Sequence, residues 1–274
     1  MAKTAVKKIK VGNVVFGAKK LVFIAGPCVI ESVEGVMDLA ARLVALAAEM
    51  DVPLIFKASF DKANRTSLDA YRGPGLKEGL AILKEIKDRF EVPILTDIHE
   101  AGQAEAAAEV VDILQIPAFL SRQTDLVVAA AQTGRVINVK KAQFMAPEDM
   151  INVVEKIRRS GNERIVMTER GASFGYRNLV ADMRSLLIMR DFGYPVVFDA
   201  THSVQRPGGF GTESGGDGQW APALARAAAA TGVDGVFMET HLKPEEALSD
   251  KANAIDFKQL KLLWQKLAAI NELV

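Results

Sequence analysis

Tyr194-Pro195-Val196-Val197-Phe198 reads as a short apolar strand entered through proline, and Val52-Pro53-Leu54-Ile55 and Val92-Pro93-Ile94-Leu95 begin in the same way. Proline at a strand's first residue sets an extended φ without removing a ladder donor from the strand's middle. Outward from these three starts, strand-like and helix-like segments alternate about every 30–40 residues, the rhythm of repeated βα units. The remaining expected strands are Leu21–Ala25, Val111–Gln115, Val136–Val139, Arg164–Thr168 and Gly235–Met238. Between them the apolar period becomes helical. Val36, Leu39, Leu43, Leu46 and Met50 follow a Ser32 N-cap, and Leu76, Leu80, Leu83, Ile86 and Phe90 repeat the pattern. Further helices are expected near 101–108, 122–133, 148–160, 179–190, 221–231 and 256–272. Eight strands alternating with eight helices predict an α/β chain folded as a (β/α)8 TIM barrel, with a doubly wound open sheet as the alternative. Ile9–Lys20, turning at Gly12-Asn13, reads as a hairpin closing the barrel's bottom. No linker divides the chain, so residues 1–274 are read as one barrel domain with 1–20 as its hairpin extension.

Composition narrows the function classes. Of 274 residues, 49% are hydrophobic and 25% charged, ordinary values for a globular core. Lys+Arg and Asp+Glu both number 34, so no global field recommends nucleic acid or an anionic membrane as partner. A single cysteine excludes an intrachain disulfide, and no apolar run approaches the roughly 18 residues of a membrane span. A cytoplasmic location is expected.

The chemistry gathers after the strands. Cys28, His99, His202 and His241 each follow a run of β-formers, and strand exits of a parallel barrel converge on one face. Lys57, Lys62 and Arg65 follow the second strand, Lys140 and Lys141 the fifth, and Arg170 the sixth. Such a ring of cations suits phosphate and carboxylate groups, while Asn64 and Thr66 suit sugar hydroxyls. The glycine-dense stretch Pro207–Gly218 lacks the spacing of a dinucleotide or P-loop motif and reads as a lid or a flexible loop, within 203–219. Cys28, His202, Glu239 and Asp250 together offer one thiolate, one imidazole and two carboxylates to a divalent transition metal. His99 and His241 are left outside that set.

Several longer stretches resemble the 3-deoxy-D-manno-octulosonate 8-phosphate synthase family almost from end to end. They are Ala25-Gly26-Pro27-Cys28-Val29-Ile30-Glu31-Ser32, Phe56–Thr66, Tyr71–Gly75, Gln115–Asp125, Asn138–Lys141 with Gln143, and Arg170–Tyr176. The resemblance implies condensation of phosphoenolpyruvate with D-arabinose 5-phosphate and water, with phosphate released, in lipopolysaccharide precursor synthesis. It implies a homotetramer. By the same resemblance Lys57, Lys62, Gln115, Lys140 and Arg170 surround phosphoenolpyruvate, and Asn64, Arg65 and Thr66 bind arabinose 5-phosphate. Arg122 reaches that phosphate from a neighbouring subunit. Lys62 and His202 stand as the catalytic candidates.

The family divides into metal-dependent members with cysteine at the position of Cys28 and metal-independent members with asparagine there. Cys28, His202, Glu239 and Asp250 match the metal set, which implies Fe2+ or Zn2+, with Mn2+ or another divalent ion also compatible. Thr66 stands where serine is common, and Lys251 where many members have glycine. The nearest alternative activity is 3-deoxy-D-arabino-heptulosonate 7-phosphate synthase, which uses erythrose 4-phosphate. That family has proline where this chain has Asn64, which favours the five-carbon sugar. A non-catalytic phosphosugar sensor is the alternative from another class.

Overall fold

The computed structural model describes residues 5–207 and 215–274. The barrel strands run, in chain order, over Val22–Gly26, Leu54–Lys57, Ile94–Asp97, Ile113–Ile116, Val136–Lys140, Ile165–Glu169, Val196–Asp199 and Gly235–His241. Each pairs in parallel with the next, and the ring closes through Gly235↔Val22. Closure is what separates this architecture from a doubly wound sheet, which would leave two edges. Eight helices follow the eight strands: Val33–Glu49, Leu76–Phe90, Ala104–Val110, Thr124–Gln132, Met150–Arg159, Arg184–Arg190, Ala221–Ala230 and Phe257–Glu272. The chain is a TIM barrel. Among the described residues no helix is long and apolar enough to cross a membrane.

Two apolar layers hold it together. The first helix starts where Ser32 Oγ accepts from the Gly35 amide at 3.1 Å, and it buries Val36, Leu39, Leu43 and Leu46 against the strands. Each such leucine, fully buried, is worth about 1.5–3 kcal/mol in transfer free energy. The second layer fills the barrel's interior. Ile24, Ile55, Leu95, Ile113, Val136, Val166, Val197 and Phe237 point inward and pack with Ile9, Val11, Val14 and Phe16. Those last four belong to the expected hairpin, Ile9–Val11 paired antiparallel with Val14–Phe16. Their partners lie early in the barrel strands, so the hairpin closes the N-terminal end.

Two expectations need correction. The segment 179–190 is not one helix: Leu179–Val180 pairs antiparallel with Ala172–Ser173, and the helix begins only at Arg184. Asp182 Oδ1 accepts from the Arg184 amide at 3.0 Å, a side-chain turn that delays the first helical hydrogen bond. The helix expected near 101–108 starts as a 3-10 turn over Ala101–Gln103 and becomes α-helical at Ala104. Of the stretch 203–219, residues 208–214 lie outside the described residues. Its flanks Gln205–Arg206 and Gly215–Gly216 pair antiparallel.

Candidate active site

Polar and charged side chains crowd the C-terminal ends of the barrel strands. Lys57, Asp97, Lys140, Glu169, Asp199 and Glu239 end or nearly end their strands, and all are buried. With the loops above them they shape a cavity of about 420 Å³. Its lining includes Cys28, Lys57, Lys62, Asn64, Arg65, Thr66, Gln115, Lys140, Arg170, His202 and Asp250. Glu239 lies beneath the lining, and Arg122 is exposed outside it. One backbone detail brings the first two strand exits together. Gly26 has φ +154°, and a Cβ there would lie 1.9 Å from the Lys57 carbonyl oxygen, so only glycine permits this approach.

Three candidate metal ligands converge. One ligand atom each from Cys28, Glu239 and Asp250 lie within 4.8 Å of one another. His202 Nε2 stands beside them, 3.5 Å from Glu239 Oε2 and 3.6 Å from Asp250 Oδ2. Asp199 aims that ring: its Oδ2 accepts from His202 Nδ1 at 2.8 Å, and its Oδ1 from the His202 amide at 3.0 Å. A carboxylate on Nδ1 leaves Nε2 as the ring's free lone pair, the arrangement common behind metal-bound histidine. Glu239 Oε2 is buried with no hydrogen-bond partner among the described residues. A soft thiolate, an imidazole nitrogen and an orphaned carboxylate oxygen fit a divalent transition ion. Burial pushes the Cys28 thiol up to about 12, with Glu239 adding to the shift. Without a cation, therefore, the sulfur stays protonated, 2.8 Å from Ser249 Oγ.

Asp250 itself has φ +53°, while Lys251 takes no left-handed conformation. The backbone here does not demand the glycine that many resembling chains carry after the aspartate.

The cations are held by buried carboxylates. Lys57 Nζ donates to Glu239 Oε1 at 2.8 Å and to the Cys28 carbonyl at 2.9 Å. Lys62 Nζ lies 3.7 Å from the same Glu239 oxygen. Burial opposes the Lys62 charge, while the ionised carboxylates of Glu239 and Asp97 favour the ammonium. Lys140 Nζ pairs with Asp199 Oδ2 at 2.7 Å and sits 4.1 Å from the Phe237 ring centroid. Burial still lowers its pKa, Asp199 offsetting only part of that cost. Glu239 and Asp199 ionise well below the usual carboxylate range: burial works against them, and Lys57 with His202, or His202 with Lys140, outweighs it.

Four residues that line this cavity hold a buried polar atom with no hydrogen-bond partner among the described residues: His99 Nδ1, Gln115 Oε1, Gln143 Oε1 and Arg170 Nη1. Buried polar atoms are almost always satisfied, so four exceptions around one polar cavity mark a place for a ligand. Arg65 sits nearer the mouth, its Nε donating to the Tyr71 carbonyl at 2.8 Å and its Nη2 to the Leu248 carbonyl at 3.3 Å. Asn64 and Thr66 beside it are exposed.

The histidines left outside the ligand set do separate. His99 lines the cavity and its Nε2 lies 3.0 Å from Asp97 Oδ2. His241 ends the eighth strand, turned toward Glu31 at 3.6 Å and lining a second cavity. Sequence reading missed Asp97, Asp199 and Gln205. The first two carried a usable signal, since each is the last residue of a barrel strand. Gln205 carried none.

Comparison with known proteins places the sequence in a family. The model of the DAHP synthetase I family matches residues 3–274. The chain is 60% identical over 269 residues to the 2-dehydro-3-deoxyphosphooctonate aldolase of Geobacter metallireducens, covering 98% of this chain and 99% of that one. It is 58% identical over 270 residues to the protein of that name from Geotalea uraniireducens, with 98% and 99% covered. For the one from Geobacter sulfurreducens the identity is 56% over 269 residues, at the same coverage. A full-length family match and relatives this similar place the sequence: the chain belongs to the DAHP synthetase I family.

Proposed function

We propose that this chain is a 2-dehydro-3-deoxyphosphooctonate aldolase of the metal-dependent class. It joins phosphoenolpyruvate, D-arabinose 5-phosphate and water into 3-deoxy-D-manno-octulosonate 8-phosphate and releases phosphate, a step toward lipopolysaccharide precursors. The observation that carries the reading is the cavity in which Arg170 Nη1 and Gln115 Oε1 stand buried beside Lys57, Lys62 and Lys140, with no partner among the described residues. Its full-length relatives carry the matching name.

Lys57, Lys62, Gln115, Lys140 and Arg170 bind phosphoenolpyruvate, a small trianion that needs several fixed donors in one dry place. Asn64, Arg65 and Thr66 take arabinose 5-phosphate above it, Arg65 meeting the phosphate. Arg122 completes that phosphate site from a neighbouring copy in a homotetramer, which accounts for its exposed position outside the cavity of its own chain. The residues 1–274 act as one cytoplasmic barrel domain.

In the reaction C3 of the enol phosphate bonds to the aldehyde carbon, and the aldehyde oxygen takes a proton from Lys62. Transfer from an ammonium to a nascent alkoxide runs downhill in pKa, so a strongly basic Lys62 remains competent. Water then adds to C2; one of its protons restores Lys62, and the other leaves with phosphate as the C2–O bond to phosphate breaks and the ketone forms. Asp199 and Lys140 keep His202 oriented throughout. Cys28, His202, Glu239 and Asp250 would hold Fe2+, Zn2+ or a similar ion, which supplies orientation and polarisation of the aldehyde.

Phosphate release from phosphoenolpyruvate, assayed in parallel with arabinose 5-phosphate and erythrose 4-phosphate, tests the reading. A preference for the five-carbon sugar is expected, and a preference for erythrose 4-phosphate would assign the heptulosonate activity instead. Repeating the assay after chelation and single-metal addition tests the metal class.

A further inference from the structure

Gln205 touches both halves of the site. Its Oε1 accepts from Arg170 Nη2 at 2.6 Å, and its Nε2 donates to Asp250 Oδ2 at 2.6 Å. The amide's orientation is fixed by its neighbours, because a guanidinium only donates and a carboxylate only accepts. Its backbone is tied as well, through pairing of Gln205 with Gly216 and a 2.9 Å bond from the Asp217 amide to the Val204 carbonyl.

We propose that Gln205 is a positioning residue that couples the anion-binding arginine to the metal-binding aspartate. The inference rests on the proposed function, which gives Arg170 and Asp250 those roles. By engaging Nη2, Gln205 turns the guanidinium so that Nη1, buried and without a partner among the described residues, is the edge left for the enol phosphate. At the other end it shares Asp250 with Asn253, whose Nδ2 donates to Oδ1 at 2.8 Å. Both carboxylate oxygens of a residue in left-handed conformation are thereby held, and Oδ2 stays directed at His202. A hydrogen bond to a charged group is worth more than one between neutral partners, and each end of this bridge is of that kind. The two ligands meet at one uncharged side chain that neither has to touch.

The test uses full-length protein stripped of metal and two separate calorimetric titrations: phosphoenolpyruvate without metal, and Zn2+ without phosphoenolpyruvate. Gln205→Met keeps the side chain's length and loses both bonds. Affinity for each ligand is expected to fall about tenfold, with the melting temperature of the ligand-free protein unchanged. A merely structural role would lower the melting temperature and leave the two affinities alike. Gln205→Asn keeps an amide too short to span both partners, and it should weaken both ligands as well. It decides the matter if the Met variant does not fold. Either ligand binding within twofold of the parent in the variants would overturn the coupling role. A parent that binds neither Zn2+ nor phosphoenolpyruvate would instead overturn the functional reading beneath it.

Discussion

Lys57 and Glu239 form an ion pair with Nζ 2.8 Å from Oε1, and each side chain is only 1% exposed. The pair joins the second barrel strand to the eighth across the first, with Lys57 at the cavity floor. Breaking such a pair from one side leaves an uncompensated buried charge. Lys57→Met should therefore lower stability by about 3–5 kcal/mol, read from urea denaturation, and abolish phosphoenolpyruvate binding. Removing both charges in Lys57→Met/Glu239→Leu should recover much of the stability and none of the activity.

Cys28→Asn replaces the proposed sulfur ligand with the residue that the resemblance gives to the metal-independent class. Zn2+ affinity is expected to fall at least about a hundredfold, read by chelator competition, while turnover persists at a reduced rate. Complete loss of turnover in a folded variant would mean that the metal does more than orient the aldehyde.

The same cysteine gives a pH signature in metal-free protein. With its pKa pushed up to about 12 by burial, the thiolate is scarce at pH 8, about one part in ten thousand. Iodoacetamide labelling should be slow there and rise about tenfold per pH unit up to pH 11. Fast labelling at pH 8 would show that the sulfur is not enclosed as described.

Arg65→Ala removes the guanidinium at the cavity mouth and, with it, the bonds to the Tyr71 and Leu248 carbonyls. The KM for arabinose 5-phosphate should rise about 10–100-fold, while the KM for phosphoenolpyruvate changes less than threefold. Parallel steady-state assays varying each substrate separate the two.

Far from the site, Glu163 accepts from Lys7 and Tyr194. Lys7 above all, then Tyr194, lowers its pKa to about 2, so its contribution is complete above pH 4.5 and lost as the pH falls toward 2. Burial, then Glu163, raises Tyr194 to about 12, so that contribution holds below pH 10 and fades above it. Glu163→Gln should flatten the melting-temperature profile at both extremes. Glu163 is nearly half exposed, so the loss near pH 7 should stay at about 0.5 kcal/mol.

The barrel was legible because its signal is local and repeated. Proline-led starts such as Val92-Pro93-Ile94-Leu95, alternating with helical periods such as Val36 to Met50, need no knowledge of distant contacts. Two-residue pairings such as Leu179–Val180 with Ala172–Ser173 leave no period to read, and so that segment was expected as helix. Within the site, the residues whose chemistry is loud in isolation, Cys28, His202 and the cations, could be named in advance. Asp199 was passed over because its work is done on His202, not on a ligand. Gln205 was invisible because its two partners lie 35 and 45 residues away in sequence. Which amide bridges which charges is a fact of loop packing.

The hairpin of Ile9–Phe16 stoppers one end of a barrel whose interior is already filled by side chains, so the cavity formed by the described residues is reached from the other end. A blind vessel imposes traffic rules. Lys57, Gln115, Lys140 and Arg170 lie at the floor with at most 6% of their surface exposed, whereas Asn64 and Thr66 stand open at the rim. Under the proposed assignment of the two substrates, whatever is seated on the floor arrives before the sugar phosphate lodges above it.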